Sequence, residues 1–203
     1  DVRISGVSAA GTAIAPFNVQ LSGSNNIQLA PEVDFDGTDF FLTWVDDRGG
    51  SPAIYSARPR IDGTLVGGSV TPVVPIPTAT SPPSAFDGNN HLVVWSDRID
   101  TNLDTIVDED HIRAIRVDPN GVTLDAAPIG IAMGASLKSP PRVAFVSGYF
   151  IVVWSEALGG PNEVIRLARV QSDGVVMDPN GLILVSSGVN ESAPSITANG
   201  QEL

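Results

Sequence analysis

Three short runs, FFLTW at 40–44, HLVVW at 91–95 and FIVVW at 150–154, are apolar at nearly every position. A strand with one solvated face would alternate, so continuous apolar runs of this length predict strands covered on both faces. The same landmarks recur around each run. Nine residues before each tryptophan (Trp44, Trp95, Trp154) stands a phenylalanine (Phe35, Phe86, Phe145), and four before that a proline (Pro31, Pro82, Pro141). Downstream, Arg58, Arg116 and Arg169 each precede a turn glycine (Gly63, Gly121, Gly174) by five residues. From Gly11, Gly63, Gly121 and Gly174 to the next proline is 20, 19, 20 and 20 residues. Matched spacing with matched chemistry defines an internal repeat of roughly fifty residues.

One unit reads as four strands. Strand a runs from the proline to the phenylalanine, and Asp-Gly at 36–37 and 87–88 then turns the chain, glycine accepting positive φ without a Cβ clash. Strand b is the apolar run. Strand c alternates into its arginine, and an Asp-Gly or Pro-Asn-Gly turn leads to strand d, a short apolar segment such as Ile183-Leu184-Val185. The expected units are 31–81, 82–140 and 141–193, preceded by strands c and d of a partial unit (1–30) and followed by the start of another (194–203). Sheets covered on both faces and repeated without helices need neighbours on either side, which radial stacking supplies. The expected fold is therefore all-β: β-propeller blades, about 3.5 four-stranded antiparallel units, forming part of a larger or incomplete propeller. A β-sandwich is the alternative, but it does not call for an all-apolar strand at the same place in every unit.

Composition narrows the partners. A net charge of −12 argues against nucleic acid, whose phosphates require a basic surface. No stretch approaches the ~18 uninterrupted apolar residues of a membrane helix, so no membrane insertion is expected. Cysteine is absent, which excludes disulfides and thiolate metal sites. The opening Asp1-Val2-Arg3-Ile4 reads as a strand, so no targeting segment is expected there.

The phrase FDGTDFFLTWVD…IYSARPRIDG, echoed at 86–121 and 145–174, resembles the repeats of extracellular β-propellers. It is similar to YWTD-type and TolB-like propellers and to secreted bacterial repeats combining FDG, W-x-D and A-R-V-x-x-D-G. It departs from YWTD repeats in lacking the tyrosine before Trp44-Val45-Asp46 and in its longer period, and it has no S-x-D-x-G-x-x-W Asp-box. The resemblance implies architecture and an extracellular, cell-surface or periplasmic setting. Such folds host enzymes, lectins and scaffolds alike.

Antiparallel order places the b–c loops at one end of each blade, together with the d–a connections. The interval from tryptophan to arginine is 14, 21 and 15 residues in the three units, so the second b–c loop is the elaborated one. Residues 97–111 hold six carboxylates, and Asp100, Asn102, Asp104, Asp108 and Asp110 offer oxygen ligands for Ca²⁺. Asp100-x-Asn102-x-Asp104 matches the opening of a calcium loop, although Thr105 and His111 stand where the turn glycine and closing glutamate belong. Asp46, Asp97 and Glu156, each two residues after a tryptophan, are candidate ligand-face residues with His111, which is expected at the surface. The three carboxylates are expected to pair with Arg58, Arg116 and Arg169, and the tryptophans to lie in the core. His91 replaces the Phe40 and Phe150 of its sister units and reads as a core or edge substitution.

No nucleophile, metalloprotease or nucleotide motif is present. The expected function is a non-enzymatic extracellular binding module for a protein or glycan ligand, acting through the b–c loop face. The alternatives are a structural scaffold that self-associates through incomplete blade edges, and a carbohydrate-active hydrolase, for which paired carboxylates would suffice.

Overall fold

The computed structural model describes the chain apart from residues 24–25, 61, 63, 69, 77–80, 101, 103–106, 160–161 and 199–203, and apart from the side chains of 15–17 and 68. Gly63 and Asp104 are therefore outside the described residues.

Among the described residues fourteen strands follow one another: β1 (Arg3–Val7), β2 (Ala13–Gln20), β3 (Gln28–Phe35), β4 (Phe40–Asp46), β5 (Ala53–Ala57), β6 (Thr71–Pro75), β7 (Ser84–Phe86), β8 (His91–Ile99), β9 (Glu109–Val117), β10 (Ile129–Ala132), β11 (Arg142–Val146), β12 (Tyr149–Ala157), β13 (Glu163–Gln171) and β14 (Leu182–Val185). They form three four-stranded antiparallel sheets, β3–β6, β7–β10 and β11–β14, each in simple sequence order and here called blades 1, 2 and 3. A two-stranded sheet, β1–β2, precedes them. The expectation of β-propeller blades is met, with β3 beginning at Gln28, three residues ahead of Pro31.

The fully apolar strands behave as their pattern requires: β4, β8 and β12 are buried on both faces along most of their length. Each tryptophan packs toward the preceding sheet. Trp44 clusters with Val2 and Leu21, Trp95 with Phe41, Val45 and Ile54 of blade 1, and Trp154 with Leu92, Ile112 and Ala114 of blade 2. The three tryptophans are essentially inaccessible, so truncating any one to alanine would cost about 3–5 kcal/mol.

The a–b turns differ in chemistry but not in purpose. Asp36 and Asp87 each accept two backbone N–H bonds through Oδ1, from Thr38 and Asp39 and from Asn89 and Asn90, while Ser147-Gly148 closes the third hairpin with φ of 51° and 83°. The first strands of successive blades, β3, β7 and β11, touch one another and are therefore innermost. Ile196 and Ala198 pack on Val146, Ile151 and Val153, continuing the ring of inner segments.

The repeated arginine has a different partner from the one expected. Arg58 binds Asp36 and Asp39 and donates to the carbonyl of Pro119 in the next blade (3.3 Å). Arg116 binds Asp125 (2.6 Å) and donates to Ser172 O of the next blade (3.1 Å), and Arg169 binds Asp178 (2.7 Å). The register gives the reason. Arg116 and Arg169 pair with Leu92 and Ile151 near the start of strand b, whereas Asp97 and Glu156 pair with His111 and Val164 at its far end. Five strand residues separate the two levels, about 17 Å. Arg58 and Arg116 bridge consecutive blades, and all three arginines sit at the opposite end of the strands from those carboxylates.

Candidate functional site

The residues expected to form a ligand face at the b–c end are instead buried and paired. Asp46, Asp97, His111 and Glu156 are 0%, 7%, 3% and 6% exposed. Glu156 binds Arg166, and Asp97 binds Arg113 (2.6 Å), both arginines lying directly across the sheet from a tryptophan. In blade 1 that cross-strand position is Tyr55, and Arg48 takes over: it binds Asp46 (2.5 Å) and lies over the Tyr55 ring at 4.4 Å. Burial pushes the Asp46 carboxyl up, but the Arg48 guanidinium and N–H and the Trp44 indole outweigh it and hold the group low. At Asp97 burial wins over Arg113 and His111, and the carboxyl is raised. His111, expected at the surface, contacts Glu109 (2.9 Å) and Arg113 (3.1 Å).

The elaborated loop divides. Asp100 and Asp108 are half-buried and Asn102 exposed, while Asp104 is outside the described residues. Asp110 is buried on β9, where its Oδ2 accepts from Arg98 (3.3 Å) and from the backbone N–H of Lys138 (2.9 Å). Among the described residues no group of three or more Asp, Glu or His side chains is arranged to hold a metal ion. Beside Asp110, the only lysine of the chain is wholly enclosed between blades 2 and 3. Its ammonium donates to the carbonyls of Asp110 (2.7 Å) and Ser136 (2.8 Å) and faces Glu156 (3.4 Å).

The concave chemistry lies elsewhere, at the centre. A cavity of about 640 Å³ is walled by the innermost segments: 32–37 of blade 1, 83–86 of blade 2, 142–145 of blade 3, and 196–198. Blade 1 supplies three carboxylates, Glu32, Asp34 and Asp36. Glu32 and Asp34 share one face of the strand because β3 alternates, with Val33 and Phe35 on the other side, and Asp36 follows at the turn. Arg142 reaches from blade 3 to Glu32 (2.9 Å), and Ser81 donates to the same oxygen. Asp34 accepts from the Phe35 N–H (2.9 Å) through Oδ1 and meets His91 Nδ1 (3.3 Å) through Oδ2. At Asp36 burial acts upward, yet the Asp39 and Thr38 N–H groups and Arg58 hold the carboxyl below the usual range. A second cavity, about 450 Å³ between β1 and β3–β4, is mainly apolar (Ile4, Val7, Val33, Phe40, Leu42).

The repeat register passed over these central residues because it singled out what every unit shares. A signal was nonetheless present: strand a reads PEVDFD in unit 1 against PPSAFD and PRVAFV in units 2 and 3, so Glu32 and Asp34 are departures from the repeat.

The architecture is that of a β-propeller. By sequence, neither a known family nor a curated protein matches the chain. By structure it resembles a thermostable family-43 glycoside hydrolase (TM-score 0.51, 15% identity), over 77% of this chain and 55% of that one. An endo-arabinase from Bacteroides thetaiotaomicron VPI-5482 follows (TM-score 0.48, 17% identity, 87% of this chain and 70% of that one). So does an α-L-arabinofuranosidase from Lactobacillus brevis (TM-score 0.48, 15% identity, 85% and 59%). The chain thus spans little more than half the length of the first of these. The expectation of a non-enzymatic binding module is corrected here: the propellers it resembles are glycoside hydrolases. The error has a physical source, since that expectation rested on a b–c ligand face whose charged groups are buried and paired, and it overlooked the central carboxylates.

Proposed function

We propose that the chain belongs to a carbohydrate-active hydrolase on a propeller fold, with its substrate site in the central cavity. The observation that carries this reading is the trio Glu32, Asp34 and Asp36 on one wall of a roughly 640 Å³ space, faced by Arg142. Cavities of this size suit a few sugar units, and glycoside hydrolysis needs two carboxyl groups flanking one bond. Glu32 and Asp34 are alternate residues of a strand, so their Cα atoms stand about 6.8 Å apart. In glycoside hydrolysis one carboxyl group protonates the leaving oxygen while its partner activates a water or attacks the sugar, roles open to such a pair. Arg142 orients Glu32, and the N–H of Phe35 together with His91 fixes Asp34.

The test is hydrolysis of a panel of polysaccharides and aryl glycosides by the wild-type protein and by Glu32→Gln and Asp34→Asn. Activity in the wild type that falls at least 100-fold in both variants, with melting temperatures preserved, supports the assignment. Variants that keep wild-type rates overturn it.

A further inference from the structure

Blade 2 departs from its own repeat at one buried position. Four residues before its tryptophan, strand b carries Phe40 in blade 1 and Phe150 in blade 3, but His91 in blade 2, where the side chain is 0% exposed. Its ring stacks on Phe41 at 3.9 Å between centroids and 11° between planes, and lies tilted 4.8 Å from Phe86. An aromatic hydrocarbon fills the corresponding place between blades 2 and 3, so packing does not ask for an imidazole. Burying one is unfavourable unless its nitrogens are used.

The partner explains the substitution. His91 Nδ1 meets Asp34 Oδ2 at 3.3 Å, and Asp34 belongs to the innermost strand of the preceding blade. At the next interface the corresponding pair is Ala85 and Phe150. Two positions have therefore changed together, from Ala–Phe to Asp–His, at the one interface whose inner strand carries the central carboxylates. Nε2 is buried without a hydrogen-bond partner, so Nδ1 is the nitrogen with a use for the ring proton. Asp34 itself remains 23% exposed, on the cavity wall. With Phe35 N–H on Oδ1 and His91 on Oδ2, each oxygen keeps one lone pair for a water or a sugar hydroxyl.

We propose that His91 is a positioning residue, whose Nδ1–H fixes the Asp34 carboxylate at the cavity wall in the orientation that glycan hydrolysis uses. The inference rests on the hydrolase reading above. Only two histidines occur, His91 and His111, so ¹⁵N-histidine labelling reports the pair directly, with His91→Phe assigning the signals. His91 should be the Nδ1–H tautomer in the wild type and should lose that preference in Asp34→Ala. His91→Phe should lower kcat about 10- to 100-fold with KM within twofold. His91→Asn, which keeps an N–H near the Nδ1 position, should recover most of the loss. The double variant Asp34→Ala/His91→Phe recreates the neighbouring Ala–Phe pair, so it should regain the melting temperature lost in His91→Phe while remaining inactive. An Nε2–H tautomer in the wild type, or a His91→Phe enzyme with unchanged kcat beside an active wild type, overturns the role of His91 alone. A wild type inert toward every glycan rejects the hydrolase reading and the positioning role with it, whichever tautomer is found.

Discussion

Replacing Lys138 by methionine tests whether the contact between blades 2 and 3 depends on a buried cation. The methionine keeps the length and most of the apolar volume of the stem, so the cavity contribution is small. What disappears is an ammonium that donates to two carbonyls at 2.7 and 2.8 Å and to Ser136 Oγ at 3.2 Å, and that faces Glu156 at 3.4 Å. Breaking a buried ion pair from one side costs about 3–5 kcal/mol when the remaining charge is abandoned. Glu156 is not abandoned, because Arg166 still binds it. The expected loss is therefore smaller, about 2–3 kcal/mol, coming mainly from carbonyls deprived of a charged donor. At about 2.1 cal/mol/K per residue, 203 residues give an unfolding entropy near 0.43 kcal/mol/K. The melting temperature should fall by about 5–7 °C in scanning calorimetry at pH 7. The loss should be nearly independent of salt, since the group is enclosed. A melting temperature within 1 °C of wild type would show that the ammonium's desolvation cancels its bonds, and would refute a net stabilising role for Lys138 between blades 2 and 3.

Further outcomes follow from other contacts. A Cβ on Gly181, which sits at φ 72°, would lie 2.4 Å from Trp154 Cη2. Gly181→Ala should therefore destabilise by about 2–4 kcal/mol through backbone strain and overpacking, and an unchanged chemical-denaturation midpoint would contradict the packing described. Asp178 is held low by Arg169, as Asp36 and Asp46 are held low against their burial. Depressed carboxyls stabilise the fold above their unfolded value near 3.9, and that contribution vanishes as pH falls through the folded values; melting temperature should drop steeply below about pH 4. Asp97 has the opposite sign, since its raised carboxyl gains stability when protonated. The melting temperature of Asp97→Asn relative to wild type should accordingly be more favourable at pH 7 than at pH 4, and a pH-independent difference would contradict that sign. If Glu32 and Asp34 work as an inverting pair, ¹H NMR should show the first sugar released with inverted anomeric configuration; retention would exclude inversion by this pair.

Nearly all of the scaffold could be read from the chain because its physics repeats. The apolar runs at 40–44, 91–95 and 150–154, the tryptophans that close them and the turns that follow recur in the same order in every unit, and the runs and tryptophans do the same work in every blade. Pairing of charges was less legible. Carboxylate and arginine recur in every unit, but sequence distance does not reveal that a hairpin carries them to opposite ends of the blade. Lys138 was invisible for the same reason: its partners Asp110 and Glu156 lie 28 and 18 residues away on two different blades.

Chemistry follows the converse rule. A catalytic or binding group is needed once, so in a repeat protein it must appear as a breach of the repeat. The inner strand shows this at two alternate positions: Glu32, Pro83 and Arg142 occupy one level, and Asp34, Ala85 and Ala144 the next on the same face. Glu32 and Arg142 differ from each other and bind each other across the centre, at 2.9 Å. Asp34 differs from its two alanine counterparts, and the residue that meets it, His91, differs from its two phenylalanine counterparts. Random drift in a packed interface would substitute one partner and leave the other exposed to the penalty of an unpaired buried group. Here both members of each pair depart from their counterparts; Glu32, Asp34 and Arg142 line one cavity, and His91 lies buried directly behind Asp34. Paired departures beside the centre are what a polar site there would require, and they are the sequence signal that supports the proposed site on the axis rather than on the loops.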